Sequence, residues 1–369
     1  MLVPLLLLAA VPVAAAEEAP ATVSSLSAVL YEPTTGRVLF EKDADTKRPM
    51  ASTTKLMTAL VAAEALEPDA LVTVPEAAVL VEGSAVGLRG GDVLSVRDLL
   101  AGLLLSSGND AANTLALLTS GSLPAFAARM NGKAAELNMS RSVFVTPSGL
   151  DEGEHGSTAR ELALLGAAVL KQPLLSELCA TKVATVHING TAVSLKNHNR
   201  LLWLYEDAVG LKTGFTTKSG KCLVSAATRD GVTLVAATLN GGDYWNDHIA
   251  LYDYGFSQLE AVTLPLSNLP PVTVCGGVAG VAELTAEAPR VVLPKGEVQR
   301  VKVTYELPPF VWAPLQAGDA VGTLRYTVDD RTIATVTLTA KAAVPARAAW
   351  TFNEKWKRQL GLLMHAILE

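Results

Sequence analysis

The chain has 369 residues, half of them hydrophobic but only 5% aromatic, and a net charge of −6. That length allows two domains, each with its own core. The acidic balance speaks against a nucleic-acid partner, which needs a basic face, and no interior stretch gives the run of about 20 apolar residues that a membrane span requires.

Leu2 to Ala16 is almost wholly apolar and ends Ala14-Ala15-Ala16 before Glu17-Glu18. An apolar segment closed by small residues reads as an export signal over residues 1–16, although the usual basic start is missing. Ser24 to Tyr31 alternates, Pro33 to Gly36 turns, and Arg37 to Glu41 returns, which predicts a hairpin. Ala51-Ser52-Thr53-Thr54-Lys55-Leu56-Met57 then places a serine at the mouth of an apolar helix and a lysine three residues on. Those positions share one helix face. A hydroxyl needs a neighbouring base to become a nucleophile, and a partly desolvated lysine can serve; alone, the serine could equally be a helix cap.

From Glu64 to about Leu178 the pattern is mainly helical, with apolar periodicity over Leu99 to Leu105, Ala111 to Leu118 and Pro124 to Leu137. Gly83 to Gly91 reads as a loop or short hairpin and Val143 to His155 as a second loop. Ser157 or Thr158 starts another helix, with Glu161 placed for a capping box. Strand character returns over Lys182 to Val193, and Asn197 to Asp207 reads as loop. Three β-rich runs follow, Val209 to Phe215, Cys222 to Arg229 and Val232 to Leu239, the last two joined by Asp230-Gly231, a hairpin turn. Asp247 to Leu259 is helical. Strands, a helical block, strands and a closing helix suggest an α+β domain over 22–260, an antiparallel sheet with an inserted helical subdomain.

Leu264 to Pro271 holds three prolines and marks a boundary. Beyond it, Pro271 to Cys275, Arg290 to Leu293, Val298 to Leu307, Ala320 to Val328 and Thr332 to Ala340 read as strands of a small all-β domain over 261–343, with Asp329-Asp330 as a hairpin turn. In the tail, 347–369, Trp356, Leu360, Leu363, Met364 and Ile367 form an apolar stripe opposite Lys355, Lys357 and Arg358. Such a basic amphipathic helix suits a membrane surface; packing on its own domain or on a partner is the plainer possibility. Cys179, Cys222 and Cys275 are far apart in sequence and read as buried small hydrophobes, at least one of them free. No metal-ligand spacing occurs among Cys and His, and neither a metal nor an organic cofactor is implied.

Two further motifs complete a constellation. Ser107-Gly108-Asn109-Asp110 lies between two helical runs, where a loop can aim Ser107 and Asn109 outward. Lys212-Thr213-Gly214 lies in a strand, with Lys212 and Gly214 on one face and Thr213 on the other. S-x-x-K, S-x-N and K-T-G in this order resemble the penicillin-recognising serine acyl-enzymes. Their contexts resemble the low-molecular-mass penicillin-binding proteins, which are serine-type D-alanyl-D-alanine carboxypeptidases, and the likeness extends over nearly the whole chain. The resemblance implies the penicillin-binding/β-lactamase-like α+β fold and a set of roles. Ser52 would attack the carbonyl between two D-alanines, Lys55 take its proton, and Ser107 relay that proton to the leaving amine. Asn109 would orient the substrate amide. Lys212 would meet the terminal carboxylate, with Thr213, Gly214 and the strand backbone holding the peptide. The N–H groups of Ser52 and Phe215 would form the oxyanion hole. It also implies peptidoglycan stem peptides as substrate, β-lactams as covalent inhibitors, and an exported enzyme on the outer face of the cytoplasmic membrane.

Relatives often carry His where this chain has Phe215, and an arginine near the end of the catalytic domain where Asn240 to Leu251 has none, so carboxylate recognition would rest on Lys212 or Arg200. A Ser-His-Asp triad has no supporting G-x-S-x-G motif, and the five histidines read as structural, His198 beside Arg200 being the possible exception. Asp151, Glu152 and Glu154 read as a solvated loop; the sharper alternative is a deacylating carboxylate of the β-lactamase kind. A catalytically idle envelope-binding protein is the remaining alternative, against which the intact motif residues argue.

Overall fold

The computed structural model describes residues 22–266, 268–348 and Trp356. The expected export signal lies outside the described residues, as does the expected tail helix apart from Arg347 and Ala348, which are not helical, and Trp356, which is helical and exposed. The chain divides into two compact units at Glu260/Ala261.

The first unit is built on strands β1 (Ser27–Glu32), β2 (Arg37–Lys42), β3 (Leu71–Thr73), β4 (Val93–Ser95), β5 (Val183–Ile188), β6 (Thr191–Lys196), β7 (Ala208–Thr216), β8 (Gly220–Arg229) and β9 (Val232–Gly241). Its helices are α1 (Lys55–Ala63), α2 (Val96–Leu104), α3 (Asn109–Ser120), α4 (Leu123–Glu136), α5 (Ala159–Leu170), α6 (Pro173–Ala180), α7 (Leu201–Leu204) and α8 (Tyr244–Gln258). The main sheet is antiparallel in the order β2-β1-β9-β8-β7, so the first hairpin pairs with the last strand and α1 to α6 are inserted between. β8 and β9 are buried over six consecutive residues each, as strands covered on both faces must be. On one face α5 comes so close that a Cβ at Gly166 would stand 3.0 Å from Leu211, Val224 and Val235. On the other, Gly255 lets α8 settle onto Leu234 and Leu30, where a Cβ would be within 2.7 Å of both. β7, which carries K-T-G, is left as an edge strand.

Several local expectations need correction. Lys182 to Val193 is a hairpin rather than one strand: Asn189 and Gly190, both at positive φ, turn β5 into β6. The Asn197 to Asp207 loop contains the single turn α7. Thr158 does cap α5, its Oγ1 accepting from the Glu161 amide, but the Glu161 carboxylate does not return to the cap; it accepts from the Arg141 amide and the Ser142 hydroxyl instead. Cys179 and Cys222 are buried, Cys275 is only half-buried, and all three are free.

The second unit is β-built. Val272–Cys275 lies between Val281–Ala282 and Val311–Trp312, and a four-stranded sheet runs Leu284–Thr285, Arg331–Ala340, Ala320–Val328, Lys302–Glu306. Asp329 and Asp330, both at positive φ, turn its long hairpin. The expected strand Val298 to Leu307 begins as a 3-10 turn, Glu297–Arg300. Leu324, Tyr326 and Leu338 are fully buried in its core.

Candidate active site

Ser52 does not cap an α-helix; it sits in a 3-10 turn, Ala51–Thr54, that runs into α1 at Lys55. The turn still brings serine and lysine together. Lys55 is fully buried, and its Nζ lies 2.8 Å from Ser52 Oγ, 2.7 Å from Asn109 Oδ1 and 2.7 Å from the Ser148 carbonyl. Burial holds this lysine well below the usual lysine range, and the Lys212 charge pushes the same way, with Asp110 opposing. As an ammonium Lys55 donates to all three oxygens; once neutral, its two N–H groups keep Asn109 and Ser148 and its lone pair is left for the Ser52 hydroxyl proton.

Ser107 and Asn109 turn inward rather than outward, at 5% and 4% exposure. Ser107, at φ 60°, is the bend between α2 and α3. Asn109 opens α3, and both ends of its amide are engaged, Nδ2 donating to the Glu82 carbonyl. Lys212 is 1% exposed on β7, and burial brings its ammonium down to about 8. Lys212 and Gly214 are buried while Thr213 is half-buried. A Cβ at Gly214 would lie 3.0 Å from the Ser52 amide nitrogen, so the strand edge abuts the nucleophile turn. Phe215 projects to solvent, 68% exposed. Arg200 and His198 are also exposed.

Sequence reasoning missed four supports. The Ser148 carbonyl fixes Lys55, and a carbonyl leaves no side-chain signal. Gly149, at φ 89°, passes so close beneath the nucleophile turn that a Cβ would stand 2.0 Å from the Ala51 oxygen. Asp110, beside the S-x-N motif, is buried and accepts from the amides of Val86, Gly87, Leu88 and Ala111, pinning the 83–91 loop to α3. His155 accepts from the Val145 amide at Nδ1, so Nε2 carries the proton it donates to Thr54 Oγ1 at 2.8 Å. Burial lowers His155 to about 4, which keeps it neutral.

Two families match the chain: D-alanyl-D-alanine carboxypeptidase over residues 13–243, and the C-terminal domain of penicillin-binding protein 5 over 275–346. The chain belongs to the D-alanyl-D-alanine carboxypeptidase family. It is 32% identical over 342 residues to D-alanyl-D-alanine carboxypeptidase DacF of Bacillus subtilis, covering 89% of this chain and 88% of that one. It is 35% identical over 335 residues to DacC of Escherichia coli, covering 86% and 83%. Among solved structures, penicillin-binding protein 5 from Haemophilus influenzae aligns over 89% of this chain and 99% of its own with a TM-score of 0.67 and 28% identity. The expected fold class is therefore borne out in both units.

Proposed function

We propose that the chain is a serine D-alanyl-D-alanine carboxypeptidase of the cell envelope that trims peptidoglycan stem peptides and is acylated by penicillins at Ser52. The observation that carries this is the fully buried Lys55 amine, 2.8 Å from Ser52 Oγ and held below its usual range.

Ser52 Oγ attacks the penultimate D-alanine carbonyl while its proton passes to Lys55 Nζ. The developing oxyanion is met by the N–H groups of Ser52 and Phe215, a hole to which each donor contributes about 2.7–4 kcal/mol. The C–N bond breaks, Ser107 passes the proton to the departing D-alanine amine, and an ester on Ser52 remains. Water then opens that ester, with Lys55 again taking and returning the proton. Lys212 and Thr213, with the backbone at Gly214, hold the terminal carboxylate. Asn109 has a second task besides orienting the substrate amide, since its oxygen positions Lys55.

The β-lactamase alternative is disfavoured by the 151–154 loop. Among the described residues Asp151 accepts from Thr216 Oγ1, Glu154 pairs with Lys47, and no loop carboxylate is hydrogen-bonded to Ser52 or Lys55. The same reading takes 1–16 as an export signal, 22–260 as the catalytic domain, 261–343 as an accessory β-domain and 347–369 as a helix on the membrane surface.

Intact-mass spectrometry of the protein mixed with benzylpenicillin tests the proposal. A long-lived adduct on Ser52 is expected, together with D-alanine release from a D-Ala-D-Ala peptide. Ser52→Ala is expected to lose both, with its denaturation midpoint nearly unchanged. Rapid drug hydrolysis with only a fleeting adduct would move the assignment to a β-lactamase, and full activity in Ser52→Ala would refute it.

A further inference from the structure

The second unit carries an apolar patch that its own core leaves uncovered. In the small sheet of Val281–Ala282, Val272–Cys275 and Val311–Trp312, the register sets Thr273 beside Val281 and Cys275 beside Trp312. Successive strand residues face opposite sides. Val272, Val274 and Ala282 go to the core, and Val281, Thr273, Cys275 and Trp312 share the outer face. Phe310, two residues before Trp312, meets its ring edge to face with the centroids 5.4 Å apart. Trp312 is 70% exposed, Val281 55% and Phe310 41%. The turn from Gly276 to Gly280, at the end of the same sheet, holds only Gly, Val and Ala, and Val278 stands exposed in it.

Two observations say what covers this face. The first is where the chain leaves the unit. Gly277 bridges Ala346, the Val278 amide donates to the Pro345 carbonyl, and the Arg347 amide donates to the Gly276 carbonyl. The segment read as a membrane-surface helix therefore starts from the turn that carries Val278. The second is charge. Residues 261–369 hold eleven Lys and Arg against nine Asp and Glu, in a chain whose net charge is −6. The basic excess thus lies on the part of the chain that would meet an anionic surface. The outer face is also poor in what a sugar or peptide site needs, since Thr273 is the one hydroxyl among its four strand residues.

We propose that Phe310, Trp312, Val278 and Val281 form a second lipid contact, which lays the outer face of this sheet on an anionic bilayer surface beside the tail. The inference rests on the reading of 347–369 as a membrane-surface helix and goes beyond it. A tail alone tethers the unit at one point and leaves it free to turn; the patch adds a second point and fixes which face meets the lipid. The two aromatic rings enter the boundary between headgroups and acyl chains, where an indole can bury its ring and keep its N–H wet. The valines of the turn and of the sheet edge follow them.

The test is sedimentation of the full chain with vesicles of phosphatidylethanolamine and phosphatidylglycerol. In Phe310→Ser/Trp312→Ser the vesicle affinity is expected to fall about tenfold, the loss of two aromatic side chains that enter the interface. Trp312→Tyr should keep most of the parent affinity. The tenfold ratio should persist at high salt, which screens the basic residues but not an apolar contact. Unchanged urea midpoints and an unchanged penicillin acylation rate check that the variants are intact. Parent-like vesicle affinity in the double variant would overturn the proposal. So would tighter binding, which would show that the patch holds the tail itself when no lipid is present. A parent dimer that dissolves in the double variant, with vesicle affinity unchanged, would give the patch to a second copy of this chain. Leu360→Ser/Leu363→Ser tests the reading beneath: full affinity in this tail variant, with affinity lost in the patch variant, would refute the tail helix and keep the patch. No vesicle binding by the parent would overturn both.

Discussion

Two buried lysines face one reaction, and their surroundings give them opposite duties. Lys55 must lose its proton to accept one from Ser52, and its burial at the start of α1 favours that by holding it well below the usual lysine range. Lys212 must keep its proton to attract a carboxylate, yet burial has brought it to about 8. The Lys212 charge disfavours a charge on Lys55, which favours one neutral and one cationic amine. A pH profile follows from the sign of each shift. Activity is lost on the acid side as Lys55 gains a proton, and on the alkaline side as pH rises through about 8 and Lys212 loses its own. In a kcat/KM profile for D-alanine release, Lys212→Arg should act more slowly but lose the alkaline limb, because a guanidinium stays charged. A limb near 8 that persists in Lys212→Arg would assign it to another group.

The loop from Thr146 to His155 does as much for the site as the helices do. It supplies the Ser148 carbonyl to Lys55, the His155 ring to Thr54, and Gly149 beneath Ala51. Gly149→Ala should therefore be severe. Positive φ alone costs an alanine about 1 kcal/mol, and its Cβ would overlap the Ala51 oxygen, one residue from the nucleophile. Penicillin acylation rate and urea midpoint should both fall; an alanine variant acylated at the parent rate would show that the loop is not coupled to the turn. This loop also marks the limit of what the sequence made legible. The three motifs name Ser52, Lys55, Ser107, Asn109 and Lys212 through their side chains, and hydrogen bonds from Lys55 join Ser52 and Asn109 to it. The main sheet was legible too, because β8 and β9 are long apolar runs joined by Asp-Gly. A backbone carbonyl, a glycine needed for contact with a segment almost a hundred residues away, and a histidine used only as a brace have no local signature. The same holds for Asp110, whose four amide partners come mostly from a loop more than 20 residues earlier. Asn189-Gly190 was a missed turn rather than an illegible one, since the same chemistry at Asp230-Gly231 was recognised.

The two units differ in how they should respond to acid. Of the five histidines, His155, His187, His198 and His248 lie in the first unit, and none lies in 261–348. His248 is fully buried, hydrogen-bonded to Ser225 Oγ at Nδ1 and to Thr238 Oγ1 at Nε2, and burial depresses it to about 3; His155 is depressed to about 4. Both pKa values lie below the ordinary 6.5, so between that value and the folded one the unfolded chain binds more protons. The stability these neutral rings supply is complete above pH 6.5 and is lost as pH falls toward 4 and then 3. By pH 4 each has cost the fold on the order of 3 kcal/mol relative to neutral pH, a large share of the 5–15 kcal/mol typical of a domain. The second unit has no such histidine among the described residues and should not share the loss. Urea unfolding of the full chain should therefore give two transitions that separate as pH is lowered from 7 to 5, with the one assigned to the first unit by loss of penicillin acylation moving to lower urea. His248→Gln should weaken that transition at pH 7 but flatten its pH dependence, because the amide can keep hydrogen bonds to Ser225 and Thr238 without titrating. If both transitions move together, or if His248→Gln leaves the acid slope unchanged, the sensitivity belongs to carboxylates spread over the molecule rather than to the histidines buried around the sheet.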